Sequence, residues 1–356
     1  MDDSVPTKVS GHLRKRFGHN EGVQYWFRTP DGQTRTSSAG FASRRPPRRV
    51  TPATTFHCFS TTKPITALAL LQLAADGKVD LDAPVRESLP EIPYDNGMTA
   101  RQLLSHQGGL PNPLPLAWVH RAEDHAGFDR QAFLERVLKE NPRAEPPGKK
   151  ARYSNIGYLL LGAMIERVSG QPYPVFVRQR ILDVVRSRDV TAFLDFGAPV
   201  ERHAVGYTRV VSGIGLALAF MRDPAKLRTR EGGWIRYHPF HLDGAAYGGL
   251  EGNVRGWAPL LTAIVDRDPR LLPPEWYATW FAPQSLASGA PSGHALSWFT
   301  GDTAGHAHLR HAGGGSGYGA EIRIYPELGA ASAILCNTTV VSDTRMLDEL
   351  DALWLP

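Results

Sequence analysis

Pro64 fixes where one long helix of this chain can begin, and the residues just before it give that helix a chemical end. The sequence runs Ser60-Thr61-Thr62-Lys63-Pro64, then through an apolar stretch from Ile65 to Ala75 that closes at Asp76-Gly77. Proline is accommodated in a helix only near its first turn, so the helix starts close to Ser60. Residues three apart on a helix are neighbours, with Cβ atoms roughly 5–6 Å apart, which puts Ser60 and Lys63 on one face. The free backbone N–H groups and the positive end of the helix then lie beside the hydroxyl. A serine becomes a nucleophile once its proton is removed, and a lysine of lowered pKa can remove it. The S-x-x-K spacing by itself also fits a structural Ser and a solvated Lys, so the partners decide.

The first partner is Tyr153-Ser154-Asn155, ahead of a second apolar run from Leu159 to Ile165. A phenol of depressed pKa relays a proton, and an amide holds a substrate carbonyl or orients a lysine. The other reading makes Tyr153 a half-buried aromatic and Asn155 the cap of the following helix. The second partner is His311-Ala312-Gly313-Gly314-Gly315, followed by Tyr318-Gly319 and by Glu321 to Tyr325, a turn at Pro326 to Gly329, and Ala330 to Asn337. That alternation is strand, glycine-rich turn, strand, turn, strand. Glycine inside a strand often marks close approach of a ligand or another backbone. The N–H groups of Gly314 and Ser60 can form an oxyanion hole. Otherwise the segment is a flexible hairpin with a structural His311.

Taken in this order, S-x-x-K, Y-x-N and H-x-G resemble the serine β-lactamase and penicillin-binding-protein superfamily, and more narrowly its class C β-lactamase, esterase and D-aminopeptidase branch. Leu103-Leu104-Ser105-His106-Gln107-Gly108-Gly109-Leu110-Pro111 and Tyr247-Gly248-Gly249-Leu250-Glu251-Gly252-Asn253 resemble two linking stretches of that branch. Gly108 and Gly252 stand where the branch usually has serine. The stretch from Thr55 to Phe59 resembles the strand leading to the nucleophile, and the likeness extends from about Gly22 to Asn337.

The resemblance implies an α+β, β-lactamase/transpeptidase-like fold. An antiparallel sheet from the N- and C-terminal segments (1–78 and 294–356) carries helices on its faces, and residues 79–293 form a mostly helical second lobe. It implies a serine hydrolase without cofactor, acting through an acyl-Ser60 intermediate. Lys63 and Tyr153 take the Ser60 proton, and Tyr153 returns it to the leaving group. Burial and a second cation lower the Lys63 pKa. Asn155 holds the Lys63 amine or the substrate carbonyl, and His311, Gly313 and Gly314 line the substrate and oxyanion side. An acyltransferase with the same intermediate and a non-catalytic penicillin-recognition scaffold remain the alternatives. Where β-lactamases carry K-T-G, this chain has His311-Ala312-Gly313. A histidine is mostly neutral at pH 7, so acidic β-lactams should bind weakly and neutral esters or amides become the expected substrates.

Composition narrows the remaining classes. Hydrophobic residues are 42% of the 356, and no segment reaches the roughly 18 apolar residues of a membrane span. The opening Met1-Asp2-Asp3-Ser4-Val5-Pro6 lacks an apolar signal core, so the expected location is the cytoplasm. Forty Lys+Arg against thirty-five Asp+Glu leave a net charge of +5. The clusters Arg14-Lys15-Arg16 and Arg44 to Arg49 read as solvated loops, not as a nucleic-acid surface. Two cysteines, Cys58 and Cys336, are too few for a disulfide framework. The family fold would bury both near each other as reduced small hydrophobes. His306, His308 and His311 would split between the faces of a strand, so no metal is expected.

Periodicity predicts a hairpin from Val23 to Arg28 and Thr34 to Ala42. It predicts helices over Pro64–Ala75, Ala100–Leu104, Arg130–Lys139, Ile156–Val168, Pro174–Ile181, Val254–Val265 and Thr344–Trp354. Leu216–Met221 is an apolar run without a clear place, and Arg222–Arg236 reads as a charged loop. Trp118, Trp234, Trp257 and Trp298 are aromatic candidates for an acyl pocket, with core packing the plainer role.

Overall fold

A computed structural model describes residues 9, 11–13, 21–113, 118–212, 227–339 and 345–356. Arg14-Lys15-Arg16 and Leu216–Met221 lie outside the described residues. Strands β1 (Val23–Arg28) and β2 (Thr34–Ala39) form the expected hairpin, with Val23 opposite Ala39 and Arg28 opposite Thr34. The second strand stops earlier than Ala42. Gly40 takes a φ of +76°, and a Cβ there would lie 1.7 Å from the Glu21 carbonyl oxygen. The chain turns at that glycine, and Phe41–Arg44 pairs instead with Pro47–Arg49. The basic cluster is thus part of a small hairpin, with Arg44 stacked 3.6 Å over the Trp234 ring and Arg49 4.1 Å over Phe41.

The short strand β3 (Phe56–His57) leads into a 3-10 turn, Phe59–Thr62, and then α1 (Lys63–Ala75). Residues Lys63 to Ala74 are all buried, as expected of a helix that is apolar on every side. The Y-x-N segment opens α2 (Asn155–Ser169), which ends at Gly170 with φ +70°, the left-handed cap that glycine accepts without strain. Strand β4 (Leu250–Gly252) pairs with β3, and α3 (Val254–Val265) follows directly. The chain closes with β5 (Phe299–Thr303), β6 (His306–Gly315), β7 (Tyr318–Tyr325), β8 (Ala330–Cys336) and α4 (Arg345–Asp351).

The main sheet has the order β5-β6-β7-β8-β1-β2. Its first and last segments meet in the antiparallel β1–β8 pair, with Tyr25 opposite Ile334 and Trp26 opposite Ala333. Successive strand residues face opposite sides. Val23, Tyr25, Phe27, Ile334 and Cys336 join Leu347 and Leu350 of α4 in one core. Trp26, Ile322, Ala333 and Leu335 join α1, α2 and α3 in the larger one. Cys58 lies in the larger core and Cys336 in the smaller, so the two thiols are on opposite sides of the sheet and both are free. This α+β, helix-flanked antiparallel sheet is the architecture the motifs imply.

The middle of the chain carries more strand than its periodicity suggests. Arg228–Glu231 and Trp234–Tyr237, in and just past the expected charged loop Arg222–Arg236, pair with each other and with Tyr207–Arg209 in a three-stranded sheet. Its strands are only three or four residues long, so period-2 alternation has little length in which to register. A further helix runs over Pro274–Phe281. Among the described residues no helix is long and apolar enough to cross a membrane.

Candidate active site

Ser60 lies in the tight turn at the head of α1, where it is partly accessible. Phe59 before it has φ +48°, an uncommon conformation for a non-glycine residue and a site of local strain. Strand β6 crosses this turn at Gly313, where a Cβ would lie 2.6 Å from the Cys58 carbonyl oxygen and 2.7 Å from the Ser60 nitrogen. Only glycine fits that crossing. Gly314 is next on the strand, opposite Gly319.

Lys63 is the first residue of α1 and is fully buried. Its Nζ lies 3.0 Å from Ser60 Oγ, 2.9 Å from Asn155 Oδ1 and 2.8 Å from the Tyr247 carbonyl oxygen. The last two oxygens are obligate acceptors and take two N–H bonds. The remaining amine position, a lone pair when the group is neutral, points at Ser60. Burial alone lowers the Lys63 pKa well below its ordinary value, without the second cation expected from the family. The rings of Tyr153, Tyr158 and Tyr247 lie 4.8, 5.1 and 5.4 Å from Nζ and favour the ammonium whenever it forms.

Tyr153 donates its O–H to Ser60 Oγ at 2.6 Å. Burial pushes its phenol above the ordinary value of 10.0, the opposite of the depressed pKa expected of a relay. It is therefore a neutral donor at physiological pH. The segment around it is fixed by His106, whose carbonyl accepts from the Arg152 N–H at 2.8 Å and whose Nδ1 accepts from the Ser154 N–H at 3.3 Å. Ser154, not Asn155, caps α2: its Oγ accepts from the Gly157 N–H at 3.2 Å. Asn155 is freed from capping, its own N–H donating to Asn112 Oδ1 at 3.0 Å while its side chain holds Lys63.

His311 is fully buried on β6, and its ring lies 6.2 Å from that of Tyr153. Its Nδ1 donates to the Ala312 carbonyl at 2.8 Å, leaving Nε2 as the lone-pair nitrogen. Burial, then the nearby Lys63, hold its pKa well below 6.5, so the position carries no positive charge at neutral pH. Phe299 completes this wall, 5.3 Å from the His311 ring and 6.4 Å from that of Tyr153. Trp257 and Trp298 are fully buried and Trp118 nearly so, which makes them core. Trp257 donates to Cys58 Sγ at 3.3 Å.

Ser60, Lys63, Tyr153 and Asn155 thus meet around one hydroxyl, with Gly313 against the turn and His311 on the adjoining wall. Sequence reasoning missed the Tyr247 carbonyl, the His106 strut and Phe299. The first two sit in stretches flagged only by resemblance, and a main-chain acceptor leaves no trace in residue type. Gly252 tolerates no serine here, because a Cβ would lie 2.6 Å from the Phe193 carbonyl oxygen. At Gly108 the nearest obstacle is the Leu103 side chain, at 2.5 Å.

Residues 18–353 match the protein family described as Beta-lactamase. Among curated proteins, Unguisins hydrolase ungD' of Aspergillus campestris is 28% identical over 326 residues, covering 87% of this chain and 57% of that protein. Esterase EstB of Burkholderia gladioli is 35% identical over 183 residues, 47% of this chain and 45% of the esterase. The chain therefore spans only about half the length of these relatives. Among solved structures, D-amino acid amidase from Ochrobactrum anthropi SV3 complexed with L-phenylalanine amide superposes with a TM-score of 0.81 at 22% identity, covering 98% of both chains. At that identity the likeness speaks for the fold.

Proposed function

The chain belongs to the Beta-lactamase family, and from that premise we propose that it is a serine hydrolase acting through an acyl-enzyme on Ser60, with carboxylic esters or amides as substrates. The observation that carries this reading is the position of Ser60 Oγ, 3.0 Å from a buried amine and 2.6 Å from a phenol.

Lys63, neutral in its buried site, takes the Ser60 proton as Oγ bonds to the substrate carbonyl carbon. The carbonyl oxygen becomes an oxyanion held by the N–H groups of Ser60 and Gly314. Loss of one such donor typically costs about 2.7–4 kcal/mol. The new ammonium is stabilised by the Asn155 and Tyr247 oxygens and the surrounding tyrosine rings. As the tetrahedral intermediate collapses, Tyr153 gives its proton to the leaving oxygen or nitrogen and regains one from the Lys63 ammonium. Deacylation reverses the sequence: water gives a proton to Tyr153 as it attacks the acyl carbon, Tyr153 passes its own to Lys63, and the Lys63 ammonium returns one to Ser60 Oγ as the acyl–oxygen bond breaks.

The relatives with esterase and amidase names fit the ester or amide class. The neutral His311 weighs against acidic lactams, because no fixed cation meets their carboxylate there. The chain is accordingly expected to hydrolyse short p-nitrophenyl esters readily and nitrocefin slowly or not at all. Efficient nitrocefin turnover without esterase activity would reverse the assignment. An acyltransferase shares every step up to deacylation, and product analysis with added amines or alcohols separates the two.

A further inference from the structure

His57 stands three residues before the nucleophile, and its ring takes no part in the Ser60 chemistry. It is 2% exposed, stacked on Phe240 with ring centroids 4.2 Å apart and edge-on to His203 at 4.7 Å. Across the β3–β4 pair its register partner is Glu251, whose side chain is 5% exposed. Glu251 Oε1 lies 3.5 Å from His57 Nδ1 and 3.5 Å from His241 Nδ1, and Oε2 lies 3.8 Å from His203 Nδ1. The Ala198 N–H donates to Oε2 at 2.6 Å. Among the described residues, the groups within ion-pair range of this carboxylate are these three imidazoles.

Two features of the cluster are unusual. Glu251 is buried with no lysine or arginine in ion-pair range among the described residues, and holding a buried carboxylate without a cation is costly. In addition, His57 Nδ1 and His203 Nε2 are buried and make no hydrogen bond. A buried polar atom without a partner calls for an explanation. The Thr55 hydroxyl holds His203 Nδ1 at 3.1 Å, the kind of outer contact that fixes a ligating ring by its other nitrogen.

We propose that His57, His203 and Glu251 form a binding site for one divalent transition-metal ion of the zinc type, separate from the serine machinery. One donor atom from each of the three lies within 4.8 Å of the others. Metal bonds of about 2.0–2.2 Å in a tetrahedral set place neighbouring ligand atoms roughly 3.4 Å apart. The 3.5 Å separation between His57 Nδ1 and Glu251 Oε1 is already near that spacing, and the unpartnered Nε2 is the His203 nitrogen left to join them. Two imidazoles and one carboxylate are a donor set suited to zinc with one position left to water. Mg²⁺ and Ca²⁺ prefer oxygen ligands. His241 lies beside the carboxylate as an outer partner. The ligands stand on β3, β4 and the stretch after Pro199, so an ion would tie three segments together next to the Ser60 turn. Their separation in sequence, from 57 to 203 to 251, hides the set from any spacing rule.

The test uses the full chain, stripped with a chelator and checked for native circular dichroism. Equilibrium dialysis against micromolar Zn²⁺ should leave one equivalent per chain. Co²⁺ should give the visible bands of a four-coordinate site, and Zn²⁺ but not Mg²⁺ or Ca²⁺ should raise Tm. His203→Ala, folded by the same criterion, should lose the stoichiometric metal and the bands. His241→Ala should keep the stoichiometry with affinity weakened 10–100-fold, the usual cost of losing an outer contact. Folded wild-type protein that retains no stoichiometric Zn²⁺ would overturn the proposal. So would an unchanged stoichiometry and Co²⁺ spectrum in both His203→Ala and Glu251→Gln, which would place the ion elsewhere.

Discussion

Replacing Tyr153 with Phe removes one oxygen and leaves the ring that packs against His106, 4.5 Å away, and faces the Lys63 amine. The lost group makes one hydrogen bond, to Ser60 Oγ at 2.6 Å. The effect on stability is that of a single neutral hydrogen bond, about 1 kcal/mol. The kinetic effect should be far larger. A positioned general acid contributes roughly 10²–10⁴-fold, or about 2.7–5.4 kcal/mol at 1.36 kcal/mol per tenfold. The size of the loss should depend on the leaving group. A p-nitrophenolate departs without being protonated, whereas an alkoxide or amine does not. Tyr153→Phe should therefore reduce kcat/KM by about tenfold or less on a p-nitrophenyl ester and by roughly 10²–10⁴-fold on an alkyl ester of the same acid. Stopped-flow acylation with both esters, alongside a thermal melt, separates chemistry from folding. A loss under tenfold that is equal for the two esters would refute the assignment of Tyr153 as the proton donor.

Other consequences follow from the same geometry. Burial lowers the Lys63 pKa, and the proposed mechanism works through the neutral amine, so kcat/KM should rise with pH through a limb below the ordinary lysine value of 10.5. A profile that stays flat until that value and then rises would mean that Lys63 is solvated in the working enzyme. Gly313→Ala forces a methyl to within 2.7 Å of the Ser60 nitrogen. It should abolish acylation by displacing β6 or the turn, while substitution of the open Gly233, which meets nothing within 4 Å, should not. Equal esterase activity in the two variants would show that the crossing at Gly313 does not shape the site.

Much of this site is legible in the sequence because its parts are local. Pro64 sets the start of α1, and one helical turn then brings Ser60 and Lys63 together. Gly313 marks a strand crossing that admits no side chain. The long apolar helices and the strands from His306 to Cys336 have enough length for their periods to show. What was not legible depends on distant neighbours. Asn155 looked like a cap until Ser154 took that role. The third Lys63 contact is a main-chain oxygen at Tyr247. The phenol of Tyr153 is raised by the packing around it, which no motif reveals. Gly40 ends β2 because the Glu21 carbonyl lies where a Cβ would be, a constraint set nineteen residues away. The short strands between Tyr207 and Tyr237 carry too few residues to establish a period.

The most direct measurement is intact-mass spectrometry of the chain after brief incubation with an activated ester, followed by peptide mapping. The account predicts a single acyl adduct on the peptide carrying Ser60, absent in Ser60→Ala and longer-lived in Tyr153→Phe. An adduct that persists in folded Ser60→Ala, with turnover retained, would contradict it.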